Sequence, residues 1–205
     1  GAGATFPAPI YTKWFSAYQA AKGVQVNYQP IGSGGGIQQL KNKTVDFGAS
    51  DVALSDSDLK TMPAAVAHIP TVAGAVAVAY NLPGVDSGLK LTGDVLADIF
   101  LGNIKKWNDP KIAALNPTAK LPATPITIGH RADGSGTTNI FTSYLKAVSP
   151  AWAAKVAAGK SVSWPVGQGG KGNDGVASIV KQTPGGIGYV ELAYAMHNNL
   201  SFATM

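Results

Sequence analysis

The sequence predicts an α/β fold, and three observations support this class. Short apolar segments rich in β-branched residues alternate along the 205-residue chain with segments of helical periodicity. Glycine (25) and proline (13) are both frequent, which is typical of short elements joined by tight turns. Hydrophobic residues make up 45% of the chain, which is enough for a globular core, whereas charged residues make up only 13%, against a usual share of about 25%.

The first helix is predicted to start after Thr5 and to end at Gly23. Pro7 suits its first turn, because a proline there lacks only an N–H that has no helical partner. Gly23 is a typical residue at a helix end. The predicted apolar stripe consists of residues at helical spacing: Ile10, Trp14, Tyr18 and Ala21.

The following segments are predicted from their apolar patterns and their capping residues. Alternating or continuous apolar residues indicate strands, and a glycine cluster or a capping serine precedes each helix. The predicted elements are a strand at 24–28, a helix at 37–43, a strand at 45–49, a helix at 55–60 and a long strand at 69–80.

The rest of the chain continues the alternation. Thr92 can cap a helix, a strand runs straight into a glycine-rich turn, and Pro184-Gly185 closes a later helix. The predicted elements are a helix at 92–101, a strand at 126–129, a helix ending near 146, a helix at 175–182, a strand at 188–190 and a helix at 191–197.

The composition narrows the class of function. The formal net charge is +5 and the isoelectric point about 9.3, but the basic residues are spread thinly, whereas a nucleic-acid interface clusters them on one face. We therefore expect no nucleic acid partner, and the positive charge suits attraction of a small anion. The absence of cysteine excludes disulfides and thiolate metal sites. No apolar run reaches the ~18 residues that a membrane-spanning helix needs.

Three turns share one design, in which a strand leads through small hydroxyl and glycine residues into a helix. They are Ala4-Thr5-Phe6, Gly32-Ser33-Gly34-Gly35-Gly36 and Asp133-Gly134-Ser135-Gly136-Thr137. A helix start presents N–H groups without partners and partial positive charge, glycine lets a ligand approach, and a hydroxyl adds a donor. If the three starts converge, they form a cage of donors for a tetrahedral oxyanion. Alternatively, each turn is an ordinary helix cap.

Arg131 and Asp51 add charged groups to these turns. Arg131 can pair with an anion while Asp133 holds its guanidinium in a fixed orientation; a surface ion pair within the turn is the alternative. Asp51 follows a predicted buried strand, where a ligand crevice lies in α/β folds. Its carboxylate can accept the proton of hydrogen phosphate but repels sulfate, which has no proton at neutral pH. Alternatively, Asp51 caps the turn that leads to Ser55.

Catalytic and cofactor motifs are not supported. Ser33 and Ser135 lack the Gly-x-Ser-x-Gly elbow of hydrolases, and no two of the three histidines have metal-ligand spacing. The spacing Gly167-x-Gly169-x-x-Gly172 matches a dinucleotide-binding motif, but it follows Pro165, a poor residue for a central strand. We therefore expect no catalytic residue, no metal and no cofactor.

Longer motifs, spread in order along the whole chain, resemble those of one known family. They are GAGATFPAP (1–9), VDFGASD (45–51), IFLGNIKKWND (99–109), RADGSGT (131–137), GGKGNDG (169–175) and PGGIGYVE (184–191). The chain resembles the periplasmic phosphate-binding proteins of bacterial ABC phosphate importers. The resemblance implies a type II periplasmic binding protein fold, in which two α/β lobes joined by crossing strands hold the ligand in their cleft.

The resemblance also implies a lobe division and a set of ligand contacts. Lobe I is expected at 1–77 and lobe II at 78–205, each completed by later segments, because members of the family continue past the position of Met205. Asp133 is expected to orient Arg131. The implied phosphate contacts are Thr5, the backbone of Phe6, Ser33, Asp51, Arg131, Ser135, Gly136 and Thr137.

The function that the resemblance implies is that of a receptor without enzymatic activity. It would bind inorganic phosphate and deliver it to the membrane permease of an ABC-type importer. We expect a monomer in the periplasm whose signal peptide has already been removed. Arsenate is protonated as phosphate is and stays an alternative ligand, and a phosphatase on a related fold and a surface interaction protein stay alternative functions.

Overall fold

A computed structural model describes residues Gly1 to Met205, and its strands form two separate sheets. The first sheet is parallel throughout, with β1 between its two partners in the order β2-β1-β3. The elements of this layer are β1 (Ala2–Gly3), α1 (Ala8–Lys22), β2 (Gln29–Pro30), α2 (Ser33–Lys41), β3 (Gly48–Ala49) and α3 (Asp56–Lys60).

The second sheet has five strands in the order β6-β5-β7-β4-β8. Strands β5, β6 and β7 run parallel, whereas β4 pairs antiparallel with both β7 and β8. The mixed α/β class predicted from the sequence is confirmed. The elements of this layer are β4 (Val76–Asn81), α4 (Gly93–Phe100), α5 (Pro110–Leu115), β5 (Thr127–Arg131), α6 (Gly136–Val148), α7 (Pro150–Lys155), β6 (Gln168–Gly170), α8 (Gly172–Gln182), β7 (Gly186–Glu191), α9 (Leu192–His197) and β8 (Ser201–Phe202).

The main core lies on the two faces of the second sheet. Every residue of β7 is buried, so this strand is the centre of the sheet. Tyr189 points to the face covered by α4 and α6, where its ring stacks on Phe141 with centroids 4.3 Å apart. Val190 belongs to the opposite face, where it packs with Val176 and Val180 of α8. Helices on both faces explain why β7 is apolar on both sides.

The helices begin and end at residues with identifiable roles. Helix α1 ends before Gly23, whose φ of 70° is the left-handed conformation that glycine adopts easily, so the predicted end is confirmed. The helix starts at Ala8, with Pro7 at the N-cap position, two residues later than predicted. Ser55 and Asp58 form a reciprocal cap at the start of α3. The longest helix has 15 residues, and no helix of the chain combines the length and apolarity needed to cross a membrane.

The first layer differs from prediction where burial depends on distant partners. Trp14 and Tyr18 are 43% and 47% exposed, so the predicted stripe of α1 is wrong; Tyr11 is the buried residue, with its ring against that of Tyr28. The predicted strand at 24–28 is also wrong, because the chain reaches β1 only at Gln29 and Pro30. Likewise, the predicted strand at 69–80 is wrong in its first half, where Ile69 is 78% exposed.

The predicted boundary between lobes, after residue 77, falls inside β4 of the second sheet. Strand β4 pairs along its whole length with β7, from Val76 to Asn81. The division of the chain into lobes at this point therefore stays a prediction.

Candidate functional site

The starts of α2 and α6 meet between the two sheets. The Gly136 N–H donates to Ser33 Oγ at 3.1 Å, although the two residues are 103 positions apart in the chain. A second contact joins the same turns, because the Gly34 N–H donates to the Gly134 carbonyl at 2.8 Å. A Cβ on Gly136 would lie 2.6 Å from both Ser33 Oγ and Asp51 Cβ, so only glycine permits this approach.

Asp51 lies at this junction. Its Oδ2 accepts a hydrogen bond from Thr137 Oγ1 at 3.1 Å, and its own N–H donates to Ser33 Oγ at 3.3 Å. Burial raises the pKa of the Asp51 carboxyl to about 6, and the hydrogen bonds from Thr137 and the charge of Arg131 offset this only in part. The alternative role of Asp51 as a cap of the turn that leads to Ser55 is wrong, because its carboxylate bonds Thr137, whereas the Val52 N–H of that turn donates to Ser50 Oγ.

Arg131 forms a buried ion pair with one unused donor. Its side chain is only 1% exposed, and its Nε and NH2 groups donate to the two oxygens of Asp133 at 2.7 and 2.5 Å. The alternative of a surface pair is therefore wrong. Burial alone would raise the pKa of Asp133, but Arg131 and the Gly172 N–H outweigh it and hold the pKa below its ordinary value. The NH1 group of Arg131 is buried and has no hydrogen-bond partner in the protein.

Thr5 joins the site from the end of β1. Its side chain is buried, and its Oγ1 accepts hydrogen bonds from Asn173 N at 3.2 Å and from Asn173 Nδ2 at 2.7 Å. Asn173 belongs to the first turn of α8, beside the Gly172 N–H that binds Asp133. Asn173 was not among the predicted site residues. The sequence feature that could have identified Asn173 is a fourth turn of small residues, between a short strand and a helix.

The remaining predicted residues are Ser135 and Phe6. Ser135 is fully buried, and its Oγ caps α6 by accepting from the Thr138 N–H at 3.0 Å. The N–H of Phe6 makes no hydrogen bond within the protein, whereas its ring lines a separate hollow beside Gly74 and Glu191. The structure thus brings the predicted turns together, while the contact of the Phe6 backbone with an anion stays a prediction.

The titratable side chains do not form a metal centre elsewhere in the chain. No group of three or more histidine, aspartate or glutamate side chains is placed to hold a metal ion. His68 accepts a hydrogen bond from the Leu54 N–H at 3.1 Å, and the ring of His130 stacks on Trp164. These histidines have structural partners of their own.

The raised pKa of Asp51 predicts how Asp51→Asn changes stability with pH. The folded protein holds the Asp51 proton more tightly than the unfolded chain between the ordinary pKa of 3.8 and about 6, so the free energy of unfolding falls as pH rises through this window. Asparagine does not titrate. From pH 4 to pH 7 we expect the stability of Asp51→Asn to rise relative to the unaltered protein by on the order of 2 kcal/mol.

Urea unfolding in phosphate-free buffer at the two pH values measures this difference. Asp46→Asn is the matched control, because Asp46 is exposed in the same segment of the chain. If the free energy of unfolding of Asp51→Asn differs from that of the unaltered protein by the same amount at pH 4 and pH 7, the pKa of Asp51 is not raised.

Comparison of the chain with protein families and known sequences gives consistent matches. The PBP superfamily domain matches residues 1–204. The chain is 54% identical over its whole length to the phosphate-binding protein PstS of Haemophilus influenzae and covers 61% of that protein. It is 44% identical over 99% of its length to the PstS of Methanocaldococcus jannaschii, of which it covers 55%. The chain therefore spans about three fifths of the length of these curated relatives.

Solved structures share the fold. A substrate-binding protein assigned to a phosphate ABC transporter of Clostridium perfringens, solved with bound phosphate, superposes with a TM-score of 0.77 at 20% identity, covering 99% of this chain and 73% of that one. A high-affinity periplasmic phosphate-binding protein, also bound with phosphate, gives a TM-score of 0.75 at 21% identity, covering 100% and 61%. At these identities the superposition establishes the fold alone.

Proposed function

Because this chain belongs to the PBP superfamily, we propose that it binds inorganic phosphate between its two sheets and delivers it to the membrane permease of an ABC-type importer. The relatives named phosphate-binding proteins support this proposal along the whole chain. The proposed contacts with the anion are those of the converging turns: Thr5, the Phe6 N–H, Ser33, Asp51, Arg131, Ser135, Gly136 and Thr137.

The observation that carries the proposal is the buried, unpartnered NH1 of Arg131. A buried donor without an acceptor costs roughly 1–3 kcal/mol, and more when the group is charged. Such a group is therefore typical of a site that a ligand completes. An oxyanion supplies the acceptor, and the fixed pairing of Arg131 with Asp133 means that the guanidinium does not need to reorganise when the anion arrives.

The charges of the site favour a protonated anion. The positive charge of Arg131 is already balanced by Asp133, so the anion is held mainly by neutral N–H and O–H donors at the helix starts. Asp51 provides a hydrogen-bond acceptor beside these donors. Hydrogen phosphate can donate its proton to this carboxylate, whereas sulfate would bring an unprotonated oxygen against it. Arsenate has the same protonation as phosphate and is expected to bind as well.

Capture by closure fits the contacts that link the two sheets. Ser33 and Asp51 follow strands of the first sheet, whereas Arg131 is the last residue of β5 in the second sheet and Gly136 begins α6. In this scheme the hydrogen bonds between these residues form as the two layers approach each other. An anion between the layers would accept further hydrogen bonds from both sides. In this scheme the lobes, divided near residue 77, would reopen on the permease to release phosphate.

The proposed receptor acts without a covalent step, as a monomer in the periplasm. No serine in the site has a histidine as a hydrogen-bond partner, so a serine–histidine pair does not support the alternative of a phosphatase.

Isothermal titration calorimetry of the purified protein tests the proposal. We expect tight binding of phosphate and arsenate, weak or undetectable binding of sulfate, and no release of phosphate from a phosphomonoester. Failure to bind phosphate would overturn the proposal, and turnover of the phosphomonoester would favour the phosphatase.

A further inference from the structure

We propose that Asn173 is a positioning residue that forces the Thr5 hydroxyl to donate its proton to the bound anion. This inference rests on the proposed function and extends it to a residue outside the predicted contacts. It is carried by the hydrogen bonds of Asn173, which is fully buried in the first turn of α8.

The orientation of the Asn173 amide is set by Glu191. The backbone N–H of Glu191 lies 2.9 Å from Asn173 Oδ1, and a backbone N–H can only donate. The atom that it meets is therefore the amide oxygen. The NH2 group of Asn173 consequently faces Thr5, where Nδ2 lies 2.7 Å from Oγ1.

This orientation occupies the acceptor capacity of the Thr5 hydroxyl. A hydroxyl oxygen has two lone pairs and one proton. Thr5 Oγ1 accepts from Asn173 Nδ2 and also from the Asn173 backbone N–H at 3.2 Å, so both lone pairs are engaged. The proton remains, and no protein group accepts it. Thr5 is 3% exposed, which leaves water little access to the hydroxyl.

The backbone of Thr5 is held from the same side. Tyr194 OH donates to the Thr5 carbonyl at 2.6 Å, so the turn between β1 and α1 is fixed against helices α8 and α9 through both its side chain and its main chain. Ser33 is in a comparable state, because its Oγ accepts from two backbone N–H groups. The hydroxyls of Thr5 and Ser33 can therefore only donate to a bound ligand. Asp51 is then the group that can accept a hydrogen bond from a protonated ligand.

The test is a double-mutant cycle on phosphate affinity. Asn173→Leu removes the side-chain donor at similar volume, and Thr5→Val removes the hydroxyl at similar shape. We expect each single variant to weaken phosphate binding by about tenfold, the scale of one net hydrogen bond of ~1.4 kcal/mol. In the Thr5→Val background, Asn173→Leu should change the affinity by less than about twofold, because its effect passes through the missing hydroxyl.

Two controls separate this result from a loss of structure. Asn116→Leu, which removes another buried amide that bonds backbone groups, should lower the melting temperature without changing phosphate affinity. If Asn173→Leu does not fold, Asn173→Asp replaces it, since its carboxylate keeps the acceptor for Glu191 N–H but takes the Thr5 proton away from the anion.

The outcomes distinguish this inference from the proposed function. Absence of phosphate binding by the unaltered protein would overturn both. If Asn173→Leu weakens phosphate binding by the same factor in the unaltered protein and in the Thr5→Val variant, the positioning role alone is overturned. The same applies if Asn173→Leu leaves the affinity unchanged.

Discussion

Arg131→Ala is expected to weaken phosphate binding by about 3 kcal/mol, which is roughly a 150-fold loss of affinity. The change removes the buried guanidinium and with it the unpartnered NH1 donor. It also leaves the Asp133 carboxyl without the guanidinium that pairs with both of its oxygens, so the anion meets an unpaired acidic group. Both effects act in the same direction.

Calorimetry with phosphate at neutral pH measures this loss. Lys111→Ala is the matched control, because it also removes one positive charge from an ion pair, that with Asp98 at 2.6 Å, but Lys111 is exposed. We expect the control to bind phosphate as the unaltered protein does. A loss of less than about threefold for Arg131→Ala would place the anion elsewhere.

Asp51→Asn is expected to reduce the preference for phosphate over sulfate by roughly 10³-fold. Asparagine offers an NH2 donor where the carboxylate offered an acceptor, so an unprotonated sulfate oxygen no longer meets a like charge. At pH 7 the gain in sulfate affinity should be about tenfold, because protonating a carboxyl with a pKa of about 6 costs ~1.4 kcal/mol at that pH, and the rest of the change should appear as a loss of phosphate affinity. Phosphate should bind more weakly, because its proton loses a charged acceptor.

The same carboxylate predicts a pH dependence of sulfate binding by the unaltered protein. Asp51 has a pKa of about 6, so below this pH it becomes protonated and can donate to sulfate. Sulfate affinity is therefore expected to rise as pH falls from 7 to 5, and in Asp51→Asn it should stay constant. Competition between the two anions at both pH values measures these effects, with Asp46→Asn as the control. Unchanged selectivity in Asp51→Asn would remove the proton-sensing role.

The predicted elements succeed where a local signal decides them. Helix α1 ends at Gly23 because only a residue that tolerates positive φ closes the helix there, and α3 begins at Ser55 because its hydroxyl and Asp58 satisfy the first turn. Both features lie within a few residues in the chain. By contrast, the short strands of the first sheet depend on pairing with distant residues, so the alternation at 24–28 indicated a strand that does not form.

The site residues also differ in whether a local pattern identifies them. The strand–turn–helix pattern is a local property and identified Thr5, Ser33 and Ser135, since each turn places a small hydroxyl residue where a helix start presents free N–H groups. Asn173 carried a weaker form of this signal. Its partners are Thr5 and Glu191, which are 168 and 18 residues away, and nothing local fixes which way its amide turns.

Spacing over a few residues is enough to predict the α/β class, the donor-rich turns and the pairing of Arg131 with Asp133. The contact of Ser33 with Gly136, the half-buried position of Asp51 beside them and the hold of Asn173 on Thr5 appear only in the folded chain. Burial and hydrogen-bond direction are set by groups far apart in the chain, which approach one another only when the two sheets pack together.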